Sequence, residues 1–344
     1  MNIALIARKA RVSTATVSRT LNNSPLVREK TAARVRKVIE ELGYIPNGSA
    51  RSLSSGRTNL LGVIISDITN PFFPELISSF ERLSAEQSYE VIFANTNYDP
   101  VRLEHALHRM MQRRVDGIAL MTSEMHEPAL AMLKKQKIPT VTLQHRIEGS
   151  DFNTVRVDHR SGIRKAVQHL VDLGHSEIAF IGGPASLWSA NKRRDLVLAE
   201  LARNKMNVAP SCLLEGNHRV DGGMAAMKIL LALKDRPTAI LCSNDLTALG
   251  ALKTIHEAGL EVPRDFSLVG FDDIEMVSLM HPSLTTVRIP RSEIAAEALT
   301  MLLAAIGGSS PQPREKIVET KLIVRQSTAA PRLKHKKKVQ KPEI

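Results

Sequence analysis

The sequence predicts an all-α head followed by an α/β core of two parallel-sheet subdomains. Three observations carry this. Apolar residues over the first 44 positions recur with the helical period. From Asn59 onward, short β-rich runs alternate with amphipathic helical stretches, the pattern of parallel sheets covered on both faces. That alternation runs to about residue 328, too long for one comfortable core, so the core is divided.

The head reads as three helices. Ile3, Ile6, Ala7 and Ala10 fall at i, i+3, i+4 and i+7 and make one apolar stripe. The segment Arg11-Val12-Ser13 breaks it, and Ser13 is placed to cap a second helix from Thr14 to Asn22, with Val17 and Leu21 facing inward. A third helix spans about Arg28 to Leu42, with Val35, Val38, Ile39 and Leu42 on one face, and Gly43 ends it. Residues 45–57 have little to bury and read as a hinge.

In the core the expected strands are Leu60–Ser66, Glu90–Thr96, Asp116–Thr122, Pro139–Leu143, Thr154–Asp158, Glu177–Gly183, Ala239–Ser243 and Ser267–Phe271. Helical patterns lie between them at Phe72–Gln87, Arg102–Gln112, Ser161–Leu173 and Leu246–Ala258. A ligand site is then expected in a cleft beyond the carboxyl ends of the strands. After Gln326 the chain reads as a disordered tail with the run Lys334-His335-Lys336-Lys337-Lys338.

Charge separates these parts. Of the net +12, residues 1–58 carry +8 (eleven Lys/Arg against three Asp/Glu) and residues 331–344 carry +5 (six against one), which leaves −1 for the middle. A polyanionic partner at the N-terminal end is the simple reading. Aromatic residues make up only 3% of the chain, so the core must be aliphatic. Cys212 and Cys242 lie in no ligand spacing, so neither a metal site nor a disulfide is expected. No nucleophilic triad, paired-histidine metal motif or phosphate loop is present, and no catalytic residue or cofactor is assigned. Arg8, Lys9 and Arg11 interrupt any secretory apolar stretch and no run is long enough for a membrane span, so a cytoplasmic protein without membrane contact is expected.

Several segments together carry a specific resemblance. Ile3 through Asn22, Glu41-Leu-Gly-Tyr-Ile-Pro-Asn-Gly-Ser-Ala-Arg-Ser-Leu53, Asn70-Pro-Phe-Phe73, Leu173-Gly-His175, Phe180-Ile-Gly-Gly183, Ser243-Asn-Asp245 and Val269-Gly-Phe-Asp-Asp273 resemble, in order, the lactose/galactose repressor family. The resemblance covers nearly the whole chain. It implies a helix-turn-helix head (1–44), a hinge (45–58) and an effector-binding, dimerising core (59–328) similar to periplasmic sugar-binding proteins, with a basic tail at 329–344. The core's two subdomains are expected at about 59–158 plus 290–320 and about 159–286 plus 321–328, joined by three crossings. The implied function is a sequence-specific repressor of transcription in carbohydrate metabolism. It would bind a near-palindromic double-stranded operator as a homodimer, under control of a sugar, sugar acid or sugar phosphate. The alternative is an architectural or effector-independent DNA-binding protein with a non-functional pocket.

The second helix exposes Thr14, Ala15, Thr16, Ser18 and Arg19 opposite Val17 and Leu21, and short side chains there permit close approach to a major groove. By resemblance Thr14, Ala15 and Arg19 occupy base-reading positions, while Ser13, Thr16, Ser18 and Asn22 suit phosphate contact or packing. Arg19 suits bidentate contact with guanine. Asn47, Ala50 and Leu53 match a short hinge helix that forms on DNA and wedges a leucine into the minor groove; Gly48 weakens its helix propensity. In the core, the resemblance places Asn70, Phe72, Phe73, Gln144, Arg193, His218, Asn244 and Asp272 at the effector. Phe73 reads equally well as core, and Asp245 as the cap of the following helix. The chain departs from the family's pattern at Gln144, where an acid is usual, after Arg193, and around Asn217-His218-Arg219. These departures touch the pocket and leave the identity of the ligand open.

Overall fold

The computed structural model describes residues 2–21, 24–44, 56–122, 127–144, 152–308 and 313–332. The chain falls into two compact units, one comprising Met1–Leu60 with Arg114–Asp116, the other the remainder.

The first unit holds helices α1 (Ile3–Ala10), α2 (Thr14–Leu21) and α3 (Glu29–Glu41). The Asn2 carboxamide caps α1 by accepting from Leu5 N at 3.1 Å, and Arg11 closes it in the left-handed region at φ 51°. Ser13 Oγ accepts from Thr16 N at 3.1 Å and so caps α2. Ile6, Ala7, Ala10, Val17, Val35 and Val38 form the buried core of the head. Gly43 follows α3 at φ +56°, a conformation that favours glycine. The Asp116 carboxylate gathers the chain leaving the head, accepting from Thr58 N at 2.8 Å and Asn59 N at 2.9 Å.

The second unit holds two six-stranded sheets. The first runs in the order β11-β5-β4-β3-β1-β2, built from β1 (Leu60–Ile65), β2 (Glu90–Asn95), β3 (Gly117–Met121), β4 (Thr140–Leu143), β5 (Asn153–Asp158) and β11 (Glu315–Glu319). The second runs β12-β10-β9-β8-β6-β7, from β6 (Ile178–Ile181), β7 (Leu213–Leu214), β8 (Ala239–Cys242), β9 (Ser267–Asp272), β10 (Thr285–Arg288) and β12 (Lys321–Ile323). Only β12 joins its neighbour antiparallel in that second sheet. The central strands are apolar on both faces, as parallel strands under helices must be, and one continuous apolar cluster runs from Leu61 to Val318.

The chain passes between the sheets three times. It leaves β5 directly into helix His159–Asp172, leaves β10 into helix Arg291–Ile306, and leaves β11 through Thr320 into β12. The passages meet at Gly162. Its N–H donates to Thr320 Oγ1 at 2.9 Å, and that hydroxyl donates to Asp158 O at 2.7 Å. A Cβ at 162 would lie 2.3 Å from Val287 Cγ1 and 2.4 Å from Thr320 Oγ1, so only glycine allows this approach.

The expected disorder after Gln326 is corrected for residues 327–332. Ser327 Oγ donates to Leu268 O at 2.6 Å, and Ser327 O accepts from Leu268 N at 2.8 Å. Ala329 O accepts from Ser267 Oγ, and Arg332 pairs with Asp265 at 3.3 Å. This segment is short of apolar residues but is held by hydrogen bonds through Ser327, Thr328, Ala329 and Arg332, which a compositional reading does not weigh. The Lys-rich run lies outside the described residues.

Candidate functional site

In the head, α2 buries Val17 and Thr20 and leaves Ser13, Thr14, Ala15 and Arg19 exposed, with Thr16 and Ser18 half-buried. The Ser13 and Thr16 hydroxyls lie 2.9 Å apart and Thr20 Oγ1 donates to Thr16 O at 2.9 Å. The outer face therefore presents short side chains and one guanidinium on a helix whose N-terminus is capped by Ser13. Asn22, Asn47, Ala50 and Leu53 lie outside the described residues.

In the core, a cavity opens at the carboxyl ends of both sheets, with about 570 Å³ of atom-free space including its mouth. The strand ends supply its walls: Ser66 after β1, Met121 on β3, Gln144 after β4, His159 after β5, Asn244 after β8 and Asp272 on β9. Asn70, Phe72, Phe73, Arg193 and His218 complete it, so all eight expected core residues line one cavity.

Asn70 is half committed: its Oδ1 accepts from Phe72 N at 3.1 Å, and its Nδ2 reaches Asp272 Oδ2 only at 3.5 Å. The rings of Phe72 and Phe73 meet edge-on at 5.1 Å. Both belong to the apolar core as well as to the cavity wall. Gln144, at φ +77°, donates from Nε2 to His159 Nε2 at 2.8 Å. His159 is buried and held neutral, mainly by burial and then by the Arg193 and Lys192 charges. With Nε2 accepting, its proton sits on Nδ1, which has no partner among the described residues.

Arg193 donates from Nη1 to Ser243 O at 2.7 Å and lies 4.4 Å above the Phe271 ring. Its Nη2 is 3.8 Å from Asp272 Oδ1, an ion pair too long for a hydrogen bond, and its buried Nε is unpartnered. Asp272 is accordingly ill-served: burial raises its pKa to about 6 despite Arg193, Asn70 and Arg291 nearby. His218 stacks close to Gly183, where a Cβ would fall 2.1 Å from the ring. Its Nδ1 lies 3.2 Å from Ser243 Oγ, and burial followed by Arg193 pushes its pKa down to about 3.

Asn244, and not Asp245, caps the helix Asp245–Glu257. Its Oδ1 accepts from Thr247 N at 2.9 Å and Thr247 Oγ1 at 2.6 Å, and its Nδ2 donates to His218 O at 2.8 Å. One N–H is left for a ligand. Asp245 is wholly buried, accepting from Thr286 Oγ1 at 2.6 Å and Ile274 N at 2.9 Å, and burial and then Asp272 raise its pKa well above the usual range.

Sequence reasoning missed several contributors. Arg291 donates to Asp272 O at 2.7 Å and Asp273 O at 2.8 Å, fixing a dipeptide held at φ +115° and +57°. It also pairs with Glu75 at 2.8 Å, which ties the strand end of one sheet to the helix Phe72–Glu86 beside the other. Arg219 reaches across similarly to Asp67 at 3.1 Å and Asn97 at 3.0 Å. His159 was detectable by the strand-end rule alone, since it follows the expected strand ending at Asp158.

The chain offers donors at His159 Nδ1, Arg193 Nε and Asn244 Nδ2 and an acceptor at Asp272, converging on one cavity. Vicinal hydroxyls, each donor and acceptor at once, satisfy such a set. Comparison with known proteins places the head and the core in known families. Residues 2–47 match the bacterial regulatory proteins of the lacI family, and residues 167–328 match the periplasmic binding protein-like domain. The chain is 35% identical over 302 residues to the ribose operon repressor of Escherichia coli K12, covering 88% of this chain and 92% of that one. Its fold superposes on the lac repressor dimer bound to operator and an anti-inducer with a TM-score of 0.86, at 28% identity, covering 96% of this chain and 99% of that one. A lacI-family regulator from Enterococcus faecium with bound ribose matches at a TM-score of 0.70 and 29% identity, over 79% of this chain and 99% of that one.

Proposed function

Given that the chain belongs to the lacI family of bacterial regulatory proteins, we propose that a small polyhydroxylated effector fills the core cavity and sets the affinity of the head for its operator. The protein is a sequence-specific DNA-binding transcriptional repressor with an effector-binding core; it acts as a homodimer and is not an enzyme. Its work on DNA puts it in the cytoplasm. Thr14, Ala15 and Arg19 read bases in the major groove, Ser13, Thr16, Ser18 and Asn22 support them at phosphates, and Asn47, Ala50 and Leu53 form the minor-groove wedge. A two-fold dimer reads a near-palindromic operator. Exposed Phe93, Val101, Ile229, Met276 and Leu279 are apolar surface available to the second copy.

The observation that carries the effector reading is the set of buried polar atoms left without partners in the cavity, Arg193 Nε and His159 Nδ1, beside a carboxylate with only long contacts. An unfilled buried donor costs about 1–3 kcal/mol, which a ligand hydroxyl recovers. An effector-independent protein has no reason to retain them. D-Ribose, the sugar of two relatives, is the first probe, within a panel of neutral, acidic and phosphorylated monosaccharides. Thermal stabilisation by a panel member, together with changed affinity for an operator selected from random DNA, is expected. Stabilisation by none of them sinks the effector reading and leaves the architectural one.

A further inference from the structure

Beside the cavity lies a second hollow, with about 570 Å³ of atom-free space including its open side. The two share a wall made by Gln144 and His159, whose side chains meet at 2.8 Å. One helix, Trp188–Arg203, serves both. Ser189 and Arg193, four apart, line the inner cavity; Trp188 and Lys192, also four apart and one residue earlier, line the outer hollow. The two rows are offset by one residue, about 100° around the helix, so the same turns of one helix present one side to each space.

The outer hollow is cationic. Arg156, Arg160 and Lys192 line it against a single acid, Asp158. That acid is spent on capping, since Asp158 Oδ1 accepts from Arg160 N at 3.1 Å and Ser161 N at 3.3 Å. Arg156 is paired with Glu315. Arg160 and Lys192 are exposed and have no acidic partner among the described residues. Between the two spaces sits His159, 8% exposed, with its Nδ1 unpartnered. Neutral sugar hydroxyls answer the inner cavity, but nothing in a neutral sugar answers the two cations without acidic partners in the adjoining hollow.

We infer that the effector is a phosphorylated monosaccharide, its ring in the inner cavity and its phosphate in the outer hollow between Arg160 and Lys192. This rests on the effector reading of the inner cavity, and the test separates the two. The full-length protein is titrated calorimetrically with matched pairs: D-ribose and D-ribose 5-phosphate, D-glucose and D-glucose 6-phosphate, D-fructose and D-fructose 6-phosphate, with inorganic phosphate alone as a control. One phosphorylated member should bind roughly 3- to 30-fold tighter than its neutral partner, the range expected from two partly exposed ion pairs. The preference should weaken with added salt. The double variant Arg160→Gln/Lys192→Gln should erase it while leaving neutral-sugar affinity unchanged. Equal binding within the best pair, an undiminished preference in the double variant, or inorganic phosphate binding as tightly as the sugar phosphate overturns the proposal. Binding of neutral sugars alone overturns it but keeps the effector cavity. Binding of no sugar of either kind overturns both.

Discussion

Replacing Asp272 by Asn should move stability and ligand affinity in opposite directions. Its carboxyl is buried, with its best partners at 3.5 Å (Asn70) and 3.8 Å (Arg193), and its pKa stands at about 6. Measured against an ordinary carboxyl near 3.8, this costs the native state about 3 kcal/mol at neutral pH. An acid whose native pKa is raised burdens the fold wherever it is ionised. The cost is complete above pH 6 and fades as the pH falls through 6 towards 3.8. Asparagine keeps the shape, tolerates positive φ better than most residues, and leaves the Arg291 bonds to the main chain intact. Allowing for the weak attraction lost to Arg193, the ligand-free variant should be more stable than the parent by about 1–3 kcal/mol at pH 7. That corresponds to a melting temperature higher by several degrees. The gain should shrink as melts are repeated down to pH 4. Affinity for the effector should fall by about 10- to 150-fold as charge-assisted bonds to its hydroxyls become neutral ones. Thermal melts and calorimetric titrations on one preparation decide the matter. A variant less stable than the parent at pH 7, or one that keeps full affinity, refutes the reasoning.

Other outcomes follow from the same geometry. Affinity for an unphosphorylated sugar, whose own charge does not change with pH, should be flat above pH 7 and fall by up to tenfold per pH unit below about 6 as Asp272 protonates, because His159 and His218, with lowered values, stay neutral across that range; calorimetry between pH 5 and 8 checks this, and an affinity independent of pH counts against a ligand-bound carboxylate. Gly183→Ala should abolish effector binding by displacing the His218 ring, while the affinity of the ligand-free protein for a selected operator stays within about twofold of the parent; retained effector binding would show that the ring's position is immaterial. His175→Ala should destabilise the core by about 1–3 kcal/mol, since the imidazole lies at 2.8 Å from Thr238, 3.0 Å from Ser267 and 2.9 Å from Ala329 O. Hydrogen exchange should then quicken over residues 327–332, and unchanged protection there would assign no holding role to this histidine.

Strands and helices with a clear period were legible to within a residue or two: Glu90–Asn95 and Ser267–Asp272 stand where alternation and β-branched runs put them. What was not legible has a physical pattern. Leu213–Leu214 and Lys321–Ile323 are too short to show any period, and Glu315–Glu319 is an exposed edge strand with a single buried residue. Such strands exist because a neighbour offers hydrogen bonds, which no local window records. The cavity divided similarly. Asn70, Arg193, Asn244 and Asp272 were placed at the effector by resemblance to the family, with Asn244 and Asp272 also falling at expected strand ends. Arg291 was missed because its role lies in reaching two main-chain oxygens on a strand distant in sequence. Asn244 was read as a ligand contact, yet most of its hydrogen-bonding capacity serves the cap and His218, a commitment visible only in three dimensions.

The meeting of three passages at Gly162 bears on how the core can come apart. Neither sheet is built from one stretch of chain: β11 returns to complete the first after β10 has been laid in the second, and β12 then closes the second. Each half lacks a strand until the other has been threaded. The two halves therefore cannot be expressed separately, exchanged as cassettes with those of a relative, or melted one at a time, as tandem domains on a single linker can. Heat or denaturant should take the whole core through one cooperative transition, with equal calorimetric and van't Hoff enthalpies. Any cut placed between the halves severs three connections, so any displacement of one half against the other has to be carried by those three short passages.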